Sequence, residues 1–99
     1  MKIADKVFQI IKKIPRGKVA TYKQIADAAR IKSPRVVGNI LHKNKQPETI
    51  PCHRVVRSNG TLAKDYAFGG KQAQKKKLID EGIKFIDDEI DLNVFRTVI

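Results

Sequence analysis

Two helix starts only twelve residues apart constrain this chain more than any other feature. Thr21-Tyr22-Lys23-Gln24 has the form of a capping box, in which a threonine and a glutamine three positions on satisfy each other's backbone N–H groups. It predicts a helix running to about Ala29, with Ile25, Ala28 and Ala29 inward. After the short turn Arg30-Ile31-Lys32, Ser33 is a good N-cap and Pro34 a good first helical residue. The second helix should run to about Lys43 and bury Val36, Val37, Ile40 and Leu41. Two short helices joined by a few residues, both basic on their outer faces, read as helix-turn-helix.

The flanks fit around that pair. Ile3, Val7, Ile10, Ile11 and Ile14 predict a helix from about Ile3 to Ile14, stopped by Pro15-Arg16-Gly17. Lys18-Val19-Ala20 is a short extended piece, and Lys45 to Pro51 a polar loop. Val55 to Arg57 reads as a strand, and Ser58-Asn59-Gly60-Thr61 supplies an Asn-Gly hairpin turn, the wing of a winged helix. Gly69-Gly70 precedes a helix from about Lys71 to Glu81, ended by Gly82. Ile83, Phe85, Ile90, Leu92 and Val94 predict short extended segments packed over the core. The expected fold is mainly α, a winged helix-turn-helix domain with a short β-hairpin wing and small C-terminal extended segments. Without repeat or linker, residues 1–99 should form a single domain with one modest core.

Lys and Arg total 21 against 10 Asp and Glu, a formal net charge of +11. Charge of that size on a small domain attracts phosphate backbones and releases counterions on binding. A lysine-rich solubilising surface, or an adaptation to heat, would give the same count. No apolar run is long enough to span a bilayer, the first residues lack a cleavable signal pattern, and the single cysteine excludes an internal disulfide. No metal or cofactor is expected, and the location should be cytoplasmic, with the nucleoid, or the nucleus in a eukaryote.

Cys52 lies beside one of only two histidines, in the run Ile50-Pro51-Cys52-His53-Arg54-Val55. The thiolate is the reactive form of cysteine, and an imidazole or nearby cations favour it. Sequence neighbours diverge, so a bridging water is one route for the proton from Cys52 to His53. A base also needs an orienting group, and Glu81 is a candidate carboxylate at a helix end. The competing reading of Cys52 is a buried, inert small hydrophobe. Arg35 and Gly38 both work against their helix, the first through the macrodipole and the second through propensity. Each makes sense if the helix approaches DNA closely and pushes a cation into it; a solvated arginine beside a packing glycine is the alternative.

Ile14-Pro15-Arg16-Gly17-Lys18-Val19, Thr21-Tyr22, Arg35-Val36-Val37-Gly38, Asn44, Pro51-Cys52-His53-Arg54-Val55, Ser58-Asn59-Gly60, Tyr66, Gly69-Gly70 and Glu81-Gly82 occur in that order. On these motifs the chain, from about Ile3 to Phe85, resembles the C-terminal DNA-binding and catalytic domain of the O6-alkylguanine-DNA alkyltransferases, or methylated-DNA–protein-cysteine methyltransferases. The resemblance implies that Cys52 accepts the alkyl group, His53 removes its proton through a water, and Glu81 orients His53. It implies a hinge role for Asn44, an arginine finger at Arg35, and a tyrosine at Tyr22 that presses on the flipped nucleotide's phosphate and helps protonate the leaving guanine. DNA contacts are implied for Thr21, Ser33, Pro34, Gly38 and Asn39, and a lesion pocket for Pro51, Arg54, Val55 and Tyr66. The implied partner is double-stranded DNA containing O6-alkylguanine, with O4-alkylthymine as a second lesion. It would be bound in the minor groove by a monomer, used once and without cofactor.

Three departures stand out. The family's usual N-terminal domain has no counterpart in these 99 residues. Gln74 stands where a lysine is frequent, with Lys75 about 100° further round the helix. Lys45 follows Asn44 where a proline is common. The nearest rival is an alkyltransferase-like protein, a short relative that binds alkylated DNA and flags it for excision-repair proteins. Such proteins replace the cysteine, typically with tryptophan, so Cys52 and Glu81 together favour the enzyme. A plain winged-helix regulator has no need of the Pro-Cys-His-Arg run.

Overall fold

In the computed structural model, which describes residues 2–63, 66 and 68–99, the Thr21 capping box closes in both directions. Gln24 N–H donates to Thr21 Oγ1 at 3.1 Å and Thr21 N–H to Gln24 Oε1 at 2.9 Å. Ahead of it lie α1 (Ile3–Lys12) and β1 (Ala20–Thr21); the box opens α2 (Tyr22–Ala28). Arg30, at φ 59°, ends α2 in a left-handed turn, with Ile31 N–H bonded to Ala26 C=O at 2.8 Å. Ser33 then caps α3 (Pro34–Leu41) by accepting from Arg35 N–H at 3.3 Å. These are the two helices of the predicted helix-turn-helix, with each boundary one or two residues shorter at its C-terminal end.

Two inward assignments need correction. Ala26 is buried in α2 and Ala28 is exposed, because the core-facing stripe is Ile25, Ala26 and Ala29. Val36 is 38 % exposed, whereas Val37, Ile40 and Leu41 make the i, i+3, i+4 stripe that packs inward. These join Val7 and Ile11 from α1, Ile14 just past it and Ile25 from α2 in a first core.

The second half is built on a short parallel seam. β2 (Val55–Val56) pairs with β1 in the register Ala20 with Val55 and Thr21 with Val56. Alternation sends Val55 into the first core and Val56 into a second, where it meets Val19, Leu62, Leu78, Ile83 and Ile90. A 3-10 turn, Cys52–Arg54, precedes β2, and α4 (Gly70–Asp80) follows it. The helix α4 ends in a Schellman motif: Gly82 N–H bonds Ile79 C=O at 2.9 Å, Ile83 N–H bonds Leu78 C=O at 3.0 Å, and Gly82 has φ 92°.

The Asn59-Gly60 turn forms, with Gly60 N–H bonded to Arg57 C=O at 2.9 Å and Arg57 N–H to Thr61 C=O at 2.9 Å. Its incoming strand is spent on parallel pairing with β1, so among the described residues no antiparallel ladder flanks it. The antiparallel hairpin lies instead at β3 (Phe85–Ile86) and β4 (Glu89–Ile90), turned by Asp87 and Asp88, both at positive φ. Leu92 and Val94, expected to be extended, sit in a short helix α5 (Leu92–Phe95) capped by the Asp91 carboxylate. The chain then runs beside Val19, which donates to Phe95 C=O at 2.9 Å and accepts from Thr97 N–H at 2.8 Å. Mainly helical architecture with a few short strands is what the sequence predicts.

Gly60 joins the turn to the C-terminal hairpin. Its carbonyl accepts Ile90 N–H at 2.9 Å, its φ is 85°, and a Cβ there would run into the Ile90 carbonyl. Gly60→Ala should therefore cost about 2 kcal/mol or more, read as a lower urea midpoint, because left-handed strain and a backbone clash add. A loss under about 0.5 kcal/mol would show that the hairpin is not held here.

Candidate active site

Cys52 is 5 % exposed and begins the 3-10 turn directly after Pro51. One side chain fixes the approach to it. Asn44 is 4 % exposed and its Nδ2 donates to Ile50 C=O at 3.0 Å and to Cys52 Sγ at 3.4 Å. Its Oδ1 accepts from Gln46 N–H at 2.8 Å. The amide thus ties the end of α3 to both ends of the loop that carries the sulfur.

The Schellman ending of α4 presents Glu81 to the other side of the same turn. Arg54 grips it bidentately, Nε to Oε1 and Nη2 to Oε2, both at 2.9 Å, while Nη1 donates to Ile14 C=O at 2.8 Å. His53 Nε2 lies 2.7 Å from Glu81 Oε2. Burial alone would raise the Glu81 pKa, but the hydrogen bonds and charges of Arg54 and His53 outweigh it and hold the carboxyl at about 2. An ionised Glu81 accepts, so His53 Nε2 carries the proton and Nδ1 is the bare nitrogen. Nδ1 is buried and has no hydrogen-bond partner among the described residues. Behind the ring, Gln74 Nε2 donates to the carbonyls of His53 at 2.9 Å and Val55 at 3.1 Å.

The resting charges follow. Burial pushes the Cys52 thiol above its ordinary 9.0, with the Asn44 hydrogen bond and the charge of Lys77 pulling partly back. Burial also pushes His53 below 6.5, against the pull of Glu81. At neutral pH the two are therefore a thiol and a neutral imidazole, not an ion pair.

A cavity of about 660 Å³ opens in front of the sulfur. Of the residues singled out from sequence, Tyr22, Pro34, Arg35, Gly38, Asn39, Cys52 and Tyr66 line it. Gly38 keeps the floor low, since a Cβ there would already touch the Tyr22 ring at 4.0 Å. Thr21 and Ser33 act as helix caps. Three residues expected in the pocket are elsewhere. Val55 is fully buried in the first core, Pro51 is buried behind the turn, and the Arg54 guanidinium is committed to Glu81 and Ile14. Strand alternation and that ion pair turn them away from the cavity.

Other residues to which the sequence assigns no site role also line the cavity, among them Lys23, Leu41, His42, Arg57 and Asn59. Lys77 is likewise assigned no role there, and its Nζ donates to the Tyr66 hydroxyl at 2.7 Å and lies 5.2 Å from the Tyr66 ring centroid and 5.8 Å from that of Phe68. Lys75 points away, pairing with Asp88 at 2.8 Å. The spacing of Gln74, Lys77, Leu78 and Glu81 was the available signal: i, i+3, i+4, i+7 puts all four on one face of α4. Among the described residues no group of three or more His, Cys, Asp or Glu could hold a metal ion, and no helix is long and apolar enough to cross a membrane.

Two outcomes test this geometry. Asn44→Ala removes one of the two donors to the Ile50 carbonyl, whose other is Cys52 N–H at 2.8 Å, and the side-chain donor to the sulfur, so it should destabilise by about 1–3 kcal/mol and raise the thiol pKa further. Slower alkylation of Cys52 by iodoacetamide at fixed pH would register the second effect; unchanged reactivity would remove Asn44 from the sulfur's environment. Glu81 has a folded-state pKa below its ordinary 4.5, so its contribution to stability is complete above about 4.5 and is lost as pH falls toward 2. Glu81→Gln should be less stable at pH 7 and should lack that part of the acid slope in urea titrations.

The family model described as "6-O-methylguanine DNA methyltransferase, DNA binding domain" matches residues 2–83. A methylated-DNA–protein-cysteine methyltransferase of Saccharolobus islandicus is 49 % identical over 79 residues, which are 79 % of this chain and 49 % of the relative. Alkyltransferase-like protein 1 of Schizosaccharomyces pombe is 42 % identical over 81 residues, 80 % of this chain and 74 % of that protein. The crystal structure of that yeast protein with damaged DNA containing O6-carboxymethylguanine superposes with a TM-score of 0.84 at 32 % identity, covering 99 % of both chains. The chain spans about half the length, or less, of the methyltransferases it matches. Residues 2–83 carry the whole helix-turn-helix, the Cys52 turn and α4, and this chain therefore belongs to the family of 6-O-methylguanine DNA methyltransferase DNA-binding domains, whose members act in DNA repair.

Proposed function

We propose that this protein reverses O6-alkylguanine damage by moving the alkyl group irreversibly onto Cys52. The observation that carries the reading is the sulfur's position: it lies on the wall of the cavity, with Asn44 donating to it and an unpartnered imidazole nitrogen on the next residue. Arg35, exposed at the first turn of α3, enters the minor groove and fills the space left by the everted nucleotide. Tyr22, across from Gly38, meets the phosphate of that nucleotide and helps to protonate the leaving base.

His53 Nδ1 accepts the thiol proton through one water, and the Glu81 carboxylate stabilises the imidazolium that forms. The thiolate attacks the alkyl carbon in line. The S–C bond forms as the C–O6 bond breaks, the electron pair passes to O6, and the guanine takes up a proton. The product is a thioether, and no neighbouring group can cleave it. Each molecule acts once.

A second reading has its own support. The near-complete superposition on the yeast alkyltransferase-like protein fits a non-catalytic lesion reader that hands DNA to excision repair. Intact-protein mass decides between them. After incubation with an O6-methylguanine duplex, the Cys52 peptide should gain one methylene; tight lesion binding at unchanged mass would leave the reader standing. Cys52→Ala should bind the lesion without gaining mass, and Arg35→Ala should weaken binding by about tenfold or more.

A further inference from the structure

We propose that the cavity prefers O6 adducts that carry a negative charge, a carboxymethyl group being the simplest, and that Lys77 with Tyr66 reads that charge. The inference takes from the proposed function only the placement of the flipped base beside Cys52. Lys77 is half-buried, and its ammonium is held by the Tyr66 hydroxyl and the faces of Tyr66 and Phe68. No carboxylate pairs with it among the described residues, whereas the neighbouring Lys75 on α4 has Asp88. A half-buried ammonium held by a hydroxyl and two ring faces, with no carboxylate on it among the described residues, can attract an anion that arrives in the cavity.

The cavity chemistry agrees. Its described walls hold Lys23, Arg35 and Arg57 and no Asp or Glu. Those three cations are exposed and suit the DNA backbone; Lys77 comes from α4, behind Tyr66 and near enough for its charge to act on the Cys52 sulfur. Because the Tyr66 oxygen accepts from Lys77, its own O–H is left to donate, on a side chain that lines the cavity. A carboxylate one bond beyond the attacked methylene meets that polarised donor. A methyl group offers it nothing. In transfer, the S–C bond forms, the C–O6 bond breaks with its electron pair going to O6, the guanine gains a proton, and the carboxylate passes unchanged onto sulfur.

The test uses duplexes identical except for O6-methylguanine or O6-carboxymethylguanine, and measures Kd by fluorescence anisotropy. The Cys52→Ala protein removes transfer, so binding alone is read. It should favour the carboxymethyl duplex by about tenfold, the size expected of a partly screened charge pair. Cys52→Ala/Lys77→Gln should bring the ratio near one, Cys52→Ala/Lys77→Arg should restore most of it, and Cys52→Ala/Tyr66→Phe, which keeps the aromatic ring, should lower it. A ratio near one in Cys52→Ala, or one unmoved by Lys77→Gln and Tyr66→Phe, overturns the proposal. Failure of alkyl transfer is read separately: the protein with Cys52 intact would then gain no mass from either duplex, while the Kd ratio would still decide the charge preference.

Discussion

The Glu81 carboxylate is where the site and the fold are joined. It receives both arms of Arg54 and the Nε2 of His53, and through Arg54 Nη1 it reaches the Ile14 carbonyl just past α1. Three distant stretches of chain thus converge on one buried anion. Attraction between charges repays desolvation only where the geometry is good and the remaining lone pairs are filled, which is the arrangement found. Removing either partner leaves an uncompensated charge, so the hub resists drift. That resistance is what lets a two-residue strand and a single 3-10 turn hold a sulfur in place.

Against that rigid side stands Asn44, which holds the other edge of the turn with neutral hydrogen bonds. The contrast explains the resting state. Charge is concentrated behind His53, and the sulfur itself faces an amide and a cavity, so burial prevails and the thiol stays protonated. A protein with +11 net charge draws in any DNA by its backbone. A thiol that burial holds protonated reacts slowly with electrophiles in general, because the thiolate is the nucleophile.

Much of this was legible from residues. Thr21-Gln24 and Ser33-Pro34 predicted α2 and α3 because capping is local chemistry, decided within four residues. The Gly82 stop was legible for the same reason. The wing ladder was not, since Asn59-Gly60 reports a turn but not which partner the adjacent strand finds; Val55-Val56 chose β1 over its own return strand. The Asp87-Asp88 hairpin is hidden because neither residue is glycine, although both take positive φ in the turn between β3 and β4. At the site, Cys52, His53 and Glu81 were found by residue type and motif. Arg54 was misplaced because a sequence shows an arginine beside a cysteine and not the carboxylate 27 positions on that takes it. Lys77 is hidden because the family motif marks the position of Gln74, whereas the helical face shared with Glu81 is what brings Lys77 to the site.

The same hub bears on which of the two repair roles this scaffold serves. Glu81, Arg54 and Gln74 have structural work whether or not sulfur chemistry occurs, because they tie β2, α4 and the end of α1 together. A pure lesion reader would keep them, together with Arg35, Gly38 and the cavity. Two atoms have no such work. His53 Nδ1 is a buried acceptor that no described protein donor reaches, which leaves it open to a water. Cys52 Sγ takes a hydrogen bond from Asn44 that a carbon side chain could not accept and that packing alone would not require. The two atoms belong to consecutive residues, of which Cys52 lines the cavity from which a proton would have to leave the sulfur. A reader gains nothing from either, and a transferase needs both, which is why the proposal rests on these two atoms rather than on the conspicuous ion pair behind them.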